Sequence, residues 1–419
     1  MRIVILVNNS ANFDGRVRKT AFSLKGDGHE VTVVCRPGVS GLEKFHDHGV
    51  LFWPVAYRSP VASFAFWQKQ SSIQTNTTDI RSLSQVPFLL KPIKFLLGGH
   101  LQDFWIHMEC RQAMREAIKA IDPDVIHAND LDTLPAAVEG ARQTGAKVVY
   151  DAHEIATDEY PDMRMGSRFW RRFQEARLIR KIDRFVTISE FADNHFRARY
   201  GICADAIVHN SPDDPSKTTG PGIREACGLS ASIPLAVFTG YLREDRGRVE
   251  ILHAISTLPD VHFACVGPKD DLIDAAVDEL VSEYGIKDRF HRLLPVDAMK
   301  TAAFITGADV ALIVNRNFST NVDLALPNKF FDALLANVPL VVGRQQAVRE
   351  MTERFGIGIC VDERNPEDIA SAMKRIISSK STYKLPDDEM RRLIDEFGWR
   401  VQAKRLADVY SSLTASGPE

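Results

Sequence analysis

The segment from Leu326 to Gly343 constrains the fold more strongly than any other part of the chain. It follows an apolar run at 310–314, and the dipeptide Pro327-Asn328 is typical of a helix start. Pro339 then opens a second apolar run after a short turn. The order strand, helix, strand predicts parallel strands that are connected through a helix.

Polar groups at this helix start predict a ligand site. The first backbone amides of a helix have no partner within the helix, and Lys329 lies beside them. Asp332 follows within the first turns. This combination suits a ligand that carries both negative charge and hydroxyl groups.

An arginine-rich loop follows an earlier apolar run at 235–239. The loop extends from Gly240 to Gly247 and carries Arg243 and Arg246 before a helical pattern. Guanidinium groups form charge-assisted, often bidentate bonds with phosphate oxygens, so we expect this loop to hold a diphosphate. The alternative is a solvated loop in which the two arginines pair with acidic neighbours, namely Glu244, Asp245 or Glu250.

Short apolar runs alternate with helical patterns through the whole chain. This alternation predicts parallel sheets that are covered by helices on both faces. A polar, proline-containing stretch at 210–222 interrupts it, and we interpret this stretch as an interdomain linker. In such sheets ligands bind beyond the carboxyl ends of the strands, which is where the polar residues named above occur.

The order of these motifs resembles the retaining glycosyltransferases of family four, which have the GT-B fold. The resemblance covers nearly the whole chain, at 14–17, 28–34, 124–130, 147–154, 186–190, 240–247, 326–339 and Glu350. It implies an α/β protein with two Rossmann-like, doubly wound parallel-sheet domains that face a central cleft. We therefore expect an N-terminal, acceptor-side domain at 1–212, a linker at 213–224, a nucleotide-sugar-binding domain at 225–396, and a C-terminal helix at 397–419 that packs back across both domains.

The resemblance also implies the activity. A metal-independent glycosyltransferase without a cofactor would move a sugar from a nucleotide-diphosphate sugar to a hydroxyl acceptor, such as a glycan or a lipid-linked carrier. The transfer would retain configuration and serve polysaccharide or glycoconjugate biosynthesis. Two alternatives stay open, a GT-B-like sugar-nucleotide epimerase and a catalytically inactive, glycosyltransferase-like scaffold or binding subunit.

The resemblance gives each motif position an expected role. The catalytic set is His153, against the donor sugar, with Arg243 and Arg246 on the diphosphate. The donor-binding set is Gly240, Gly247, Asn328, Lys329, Asp332 and Glu350, in which Asp332 binds ribose hydroxyls. The acceptor side of the cleft contains Asp14, Gly15, Arg16, Asp130 and Glu154, and Arg16 is expected to meet a phosphate.

Structural roles compete with several of these assignments. His153 is alternatively a buried imidazole bonded to Asp151 or to a backbone carbonyl, and for His127 the structural role is favoured. Asp14 is alternatively the N-cap of a helix. Glu350 is alternatively an exposed glutamate on a helix surface.

Two positions depart from the family pattern. Many relatives carry two glutamates eight positions apart, whereas Leu324 stands eight positions before Asp332. Tyr241 stands where many relatives carry arginine, and Arg243 can compensate for it. The first departure leaves recognition of the sugar open and favours the scaffold alternative, but neither departure removes the basic loop.

Composition limits the compartment and the partners. A net charge of −3 argues against binding of nucleic acid over the whole surface. The six cysteines are scattered, which favours a reducing, cytoplasmic compartment. Two Asp-x-Asp pairs, at 122–124 and 130–132, have a spacing used for metal ligands, but turn and N-cap roles are favoured, so no metal site is predicted.

Two segments suggest peripheral association with the cytoplasmic face of an anionic inner membrane. One mixes apolar residues with lysines at 86–97, and the other is a basic helix that reaches from Arg168 to Lys181. For this helix the favoured alternative is a surface helix whose aromatic residues face the core while its arginines face water; these aromatic residues are Phe169, Trp170 and Phe173.

Overall fold

A computed structural model describes residues 1–11, 14–38, 41–55, 100–159, 163, 165–316 and 319–414. The apolar segment at 86–97, for which membrane contact is predicted, lies outside these residues. Within the described part of the chain, no helix combines the length and the apolar character needed to cross a bilayer.

Strands and helices alternate as predicted. The strands are β1 (Arg2–Leu6), β2 (Glu30–Cys35), β3 (Phe45–Asp47), β4 (Val50–Pro54), β5 (Val125–Asn129), β6 (Lys147–Ala152), β7 (Arg184–Thr187), β8 (Ala206–Ile207), β9 (Leu235–Thr239), β10 (His262–Val266), β11 (Phe290–Leu293), β12 (Val310–Ile313), β13 (Leu340–Val342) and β14 (Gly358–Cys360). The α-helices are α1 (Gly15–Gly26), α2 (His100–Ile121), α3 (Asp130–Thr144), α4 (Met165–Leu178), α5 (Glu190–Tyr200), α6 (Ile223–Cys227), α7 (Arg248–Ser256), α8 (Asp271–Glu283), α9 (Thr301–Ile305), α10 (Thr320–Leu324), α11 (Asn328–Leu335), α12 (Gln346–Phe355), α13 (Pro366–Ser378), α14 (Lys380–Tyr383), α15 (Asp387–Phe397) and α16 (Trp399–Thr414).

The first sheet contains eight strands in the order β3-β4-β2-β1-β5-β6-β7-β8. The strand β3 pairs antiparallel with β4, whereas β1 pairs parallel with both β2 and β5. Strand order therefore changes direction between β1 and β5. At such a switch point the loops that follow the two strands diverge and leave room for a ligand.

The second sheet contains six parallel strands in the order β11-β10-β9-β12-β13-β14. Counted within the sheet this is the order 3-2-1-4-5-6 of a doubly wound nucleotide-binding fold. Its switch point lies between β9 and β12. The loop after β9 is the arginine-rich loop, so topology places that loop at the ligand-binding edge.

Both faces of the second sheet are buried. Alternate residues of β9 point to opposite faces, with Leu235 and Val237 in one apolar cluster and Ala236 and Phe238 in the other. Helices α9, α11, α12 and α15 contribute buried residues to the first cluster, and α7, α8 and α13 contribute to the second. Continuous apolar strands are what a parallel sheet covered on both faces requires.

The chain divides into two compact units. One contains Met1–Asp151 and Arg164–Arg184, and the other contains Ala152–Met163 and Phe185–Glu419. This division by packing differs from the boundaries at 212 and 225, which stay predictions about domain organisation.

The last helix is tied to the strand β8 and the residues that follow it. The backbone amide of Trp399 donates to the Pro212 carbonyl at 2.9 Å, and the Gln402 side-chain carbonyl accepts from the His209 amide at 3.0 Å. Arg405 donates to the carbonyl of Ile207 at 3.3 Å. These bonds fix the start of α16 against the segment that precedes α6.

Candidate active site

The candidate site lies at the switch point of the second sheet. Three segments meet there: the loop at 240–247 after β9, the residues at 314–316 after β12, and the first turn of α11. All three belong to the second compact unit. Ligand sites of doubly wound sheets form at this edge because loops from the two central strands turn away in opposite directions.

Glycine is required at both ends of the arginine-rich loop. Gly240 has φ of +106°, and a Cβ there would lie 3.2 Å from a terminal guanidinium nitrogen of Arg246. Gly247 has φ of +75°, and a Cβ there would lie 2.8 Å from the Val314 carbonyl oxygen. The positive φ at both positions disfavours ordinary side chains, and at Gly247 the close approach of the Val314 backbone excludes them as well. The loop therefore folds tightly enough to hold Arg246 against the end of β9.

Arg246 and Lys329 form a pair of cations whose side chains have no ion-pair partner in the described part of the chain. No ion pair involves either side chain among the residues that the structure describes. The Lys329 ammonium donates to the Asn315 side-chain carbonyl at 3.3 Å and lies 4.4 Å from the centre of the Phe238 ring. An amide oxygen and an aromatic face stabilise an ammonium group but supply no full negative charge.

The pKa values of this pair reflect buried positive charge that the carboxylate of Asp245 offsets only in part. Desolvation, followed by the charge of Arg246, lowers the pKa of the Lys329 ammonium well below its usual range. Desolvation, followed by the charge of Arg243, also lowers the pKa of the Arg246 guanidinium. Both lowered pKa values mean that the charged forms of Lys329 and Arg246 are destabilised in this environment. An anion bound between the two groups would stabilise these charged forms.

The carboxylates near Arg246 form ion pairs with other arginines. Arg316 follows β12 and pairs with Glu250 at 2.6 Å and with Glu244 at 3.5 Å, and these contacts raise the pKa of its guanidinium. Arg243 is paired with Asp245 through two bonds of 3.0 and 2.7 Å. The solvated-loop alternative therefore describes Arg243 and not Arg246. Sequence reasoning missed Arg316, although its position directly after a buried strand was a usable signal.

A cavity of about 160 Å³ adjoins Gly240 on the side of β10 and β11. Backbone and apolar groups line it together with the charged residues Lys269 and Asp274; the first set includes Gly240, Tyr241, Gly267, Pro268, Ile273 and Leu294. Arg292 also lines it, but this side chain is held by Asp274 and Asp278. The cavity thus offers a partly apolar space beside the start of the loop that carries Arg246.

The remaining donor-side predictions have different surroundings. Asn328 is exposed at the start of α11, where no described side chain caps the helix, and Asp332 is buried one turn later at 7% exposure. Glu350 is exposed on α12 and accepts a bond from Gln346 at 3.0 Å. This contact matches the alternative of an exposed helical glutamate.

His153 lies in a separate hollow of the same compact unit. After β6, this half-buried histidine and the exposed Glu154 line the hollow together with Leu324, the residue at the missing-glutamate position. Asp323 points elsewhere, because its carboxylate accepts from the Gln346 amide at the start of α12, at 2.8 Å. The hollow is thus walled by a leucine where many relatives have an acid.

All acceptor-side predictions except Glu154 lie at the starts of helices that follow β1 or β5, at the switch point of the first sheet. Asp14 is the N-cap of α1, since its carboxylate accepts from the Val17 amide at 3.0 Å, and Gly15 begins that helix. Asp130 begins α3 with φ of +60°, a strained value for a residue other than glycine.

Arg16 has a partner other than the predicted phosphate. It is 2% exposed, and its guanidinium contacts both carboxylate oxygens of Asp151 at 3.0 and 2.9 Å. His127 lies 3.4 Å from the same carboxylate, in the structural role that the sequence favoured. The expectation that Arg16 meets a ligand phosphate is corrected, because a buried ion pair already uses its charge.

Comparisons with known families cover most of the chain. Residues 15–211 match the model of the glycosyl transferase 4-like domain, and residues 233–379 match the model of glycosyl transferases group 1. The chain belongs to the group 1 glycosyltransferases. The predicted family and enzyme class are therefore confirmed. No curated protein sequence matches this glycosyltransferase in the comparison.

Solved structures of the same fold match the glycosyltransferase over its full length. Sucrose-phosphate synthase from Thermosynechococcus elongatus matches at 14% identity with a TM-score of 0.74, and 100% of each chain is covered. Anabaena HepE in complex with UDP-glucose matches at 14% identity and a TM-score of 0.66, covering 98% of this chain and 100% of that one. A putative UDP-N-acetylglucosamine 2-epimerase from Listeria monocytogenes matches at 16% identity and 0.58, covering 100% and 98%. These likenesses confirm the predicted GT-B fold class.

Metal ligands do not cluster in the described ranges. No group of three or more His, Cys, Asp or Glu side chains there is arranged to hold a metal ion. Positive charge next to the switch point comes from arginine and lysine side chains.

Proposed function

We propose that this glycosyltransferase uses a nucleotide-diphosphate sugar as its donor and binds the diphosphate between Arg246 and Lys329. The observation that carries the proposal is the cationic pair itself, held at the switch point of a doubly wound sheet without a carboxylate partner among the described residues. The match to Anabaena HepE in complex with UDP-glucose supports a donor of this class.

The two cations have a direct role in the transfer. Breaking the bond between the anomeric carbon and the diphosphate oxygen leaves added negative charge on the leaving group. Arg246 and Lys329 stabilise this developing charge, and their positions are fixed before the reaction by the glycine loop and by Asn315. Arg243 is exposed at the rim and adds a weaker, screened attraction.

The remaining donor contacts follow from the same placement. The cavity beside Gly240 receives the nucleoside, because its apolar and backbone lining suits a flat ring and its charged residues Lys269 and Asp274 can bond to polar groups of the base. The Asn328 amide adds a helix-start donor to the phosphate, and Asp332 orients the ribose side. Neutralisation by side chains makes a divalent metal unnecessary, so we expect activity to survive a chelator.

We propose retention of configuration and a glycan or lipid-linked acceptor for polysaccharide or glycoconjugate assembly. In a retaining transfer the acceptor hydroxyl approaches the face from which the diphosphate leaves. His153, which lines the hollow beside Leu324, would then contact the donor sugar. The protein would act at the cytoplasmic face of the inner membrane, where lipid-linked acceptors are available.

An epimerase is the second candidate, and the match to the Listeria protein favours its inclusion. The two reactions differ in whether they need an acceptor. An epimerase converts its sugar nucleotide without an acceptor, whereas the transferase consumes the donor only when a hydroxyl acceptor is present or water replaces it. An inactive scaffold would bind nucleotide and consume nothing.

One experiment separates these candidates. The purified protein is screened by thermal shift against uridine, guanosine and adenosine diphosphate sugars, and the stabilising donor is then incubated with and without lipid and glycan extracts. The proposal expects sugar transfer that depends on the extract, with the anomeric configuration of the product read by NMR. Conversion of the donor to its epimer without extract would replace the proposal with the second candidate, and absence of nucleotide binding would refute both.

A further inference from the structure

Helix α4 presents its apolar residues to solvent. Phe169 is 72% exposed, Trp170 is 53% exposed and Phe173 is 48% exposed. Met165, one turn before Phe169, is 84% exposed. The prediction that these aromatic residues face the core is wrong, because the residues at 165, 169 and 173 recur every four positions and share one outward stripe.

The inward face of α4 is polar. Glu175 is 1% exposed and accepts a bond from the buried Tyr150 hydroxyl at 2.8 Å. Arg171 lies 3.9 Å from the carboxylate of Asp132. The helix is therefore inverted relative to an ordinary surface helix, with polar contacts inside and aromatic rings outside. An apolar face of this kind indicates an interaction surface.

Positive charge borders the exposed rings. Arg177 and Arg180 are exposed at the C-terminal end of the same segment. Desolvation, followed by the charges of Arg142 and Arg177, lowers the pKa of the Lys181 ammonium, so these three cations lie near one another. The segment 165–181 contains six arginine and lysine residues and one acidic residue.

We propose that the outward face of α4 docks on an anionic lipid bilayer. This inference rests on the proposed peripheral location of the transferase and names the surface that produces it. The four apolar side chains enter the boundary between headgroups and acyl chains, while Arg177 and Arg180 contact lipid phosphates. Aromatic rings beside arginines suit this boundary, which is apolar on one side and anionic on the other.

A second copy of the chain is a less suitable occupant. A twofold interface places the same patch of both copies together, so a segment with six cations and one acidic residue would face its own excess of positive charge. A lipid surface instead supplies the opposite charge. Charge complementarity therefore decides in favour of the bilayer.

Vesicle sedimentation of the full chain tests the proposal. The probes are vesicles of phosphatidylcholine alone and vesicles of phosphatidylcholine with phosphatidylglycerol, each at low and high salt. We expect binding to the anionic vesicles at low salt and loss of most binding at high salt. The variant Arg177→Gln/Arg180→Gln should bind about 25-fold more weakly, since each basic residue near such a surface contributes about fivefold.

A second experiment replaces the exposed aromatic side chains of α4. The variant Phe169→Ser/Trp170→Ser/Phe173→Ser should lose sedimentation with anionic vesicles, and its exposed positions make folding insensitive to the change. The matched control is Leu272→Ser on α8, where a 72% exposed leucine is replaced at a distance in sequence from α4. The control should sediment like the parent protein.

Three outcomes would overturn the proposal. These are equal binding to both vesicle types, unchanged binding by the triple variant, and a concentration-dependent dimer that the triple variant abolishes without any lipid binding. Nucleoside diphosphate calorimetry on the same variants keeps the two proposals separate. Intact nucleotide binding with no vesicle binding would refute the docking surface alone, and the reverse result would refute the donor site alone.

Discussion

The arginine-rich loop contains a matched pair of residues that tests the anion site directly. Arg246 and Arg243 are three positions apart in one loop, yet of the two only Arg243 has an ion pair within the residues that the structure describes. We expect Arg246→Ala to weaken binding of a nucleoside diphosphate strongly and Arg243→Ala to weaken it little. The same side-chain type is removed in both variants, so the comparison isolates the local environment.

The expected magnitudes follow from the surroundings of each guanidinium. A hydrogen bond that involves a charged group contributes about 1.5–3 kcal/mol, so loss of the Arg246 contact should raise Kd by about 10- to 150-fold. Removing Arg246 also relieves its repulsion of Lys329, so we expect an increase in Kd near the lower end of this range. Arg243 is about half exposed and already paired, so its loss should cost at most about 1 kcal/mol, or about fivefold.

Titration calorimetry with the nucleoside diphosphate that gives the largest thermal shift measures both values. Thermal unfolding of the unliganded variants supplies an independent readout. Since Arg246 lies beside Lys329 with no ion pair in the described structure, Arg246→Ala should leave Tm unchanged or raise it. A lowered Tm together with an unchanged Kd would show that Arg246 is a structural residue and would refute the anion site.

Three further predictions concern charge and backbone. The Lys329 pKa is lowered in the free protein, and a bound diphosphate raises it, so diphosphate binding should take up a proton and weaken as pH rises through the lowered pKa. Calorimetry in two buffers of different ionisation enthalpy measures this proton uptake. The variant Lys329→Arg should flatten the pH dependence of Kd. Gly247→Ala should destabilise the protein by about 2–4 kcal/mol through its positive φ and the clash with the strand end, whereas the control Gly145→Ala, also at positive φ but in open space, should cost about 1 kcal/mol in urea unfolding. Asp151→Asn should destabilise by about 3–5 kcal/mol because it leaves the Arg16 guanidinium buried without its counter-charge, and a change below about 1 kcal/mol would contradict a structural role for this pair.

Much of the site could be predicted because it depends on local sequence. The positions of Gly240 and Gly247 follow from a tight turn after an apolar strand, and Lys329 follows from a helix start. Predicting these features requires only the neighbouring residues in the chain and the rule that ligands bind beyond the carboxyl ends of strands. The structure places all of them at the switch point of one sheet.

Other features depended on residues that are far apart in the chain. Glu250 pairs with Arg316, 66 positions away, and this contact removes a carboxylate that the sequence offered to Arg246. Arg16 is buried against Asp151, 135 positions away. Residue types alone could not distinguish a guanidinium that is free to meet phosphate from one that an internal acid already neutralises.

The sequence by itself determined the alternation of apolar strands and helices, and therefore the doubly wound sheets and the positions of their polar loops. The period of apolar residues and the positions of glycines act on the local backbone, so the sequence alone is enough to interpret them. Tertiary structure decided which charges are balanced and which face of α4 is covered. Those outcomes depend on partners brought together by packing, and only folding establishes that Arg246 and Lys329 share one region of excess positive charge.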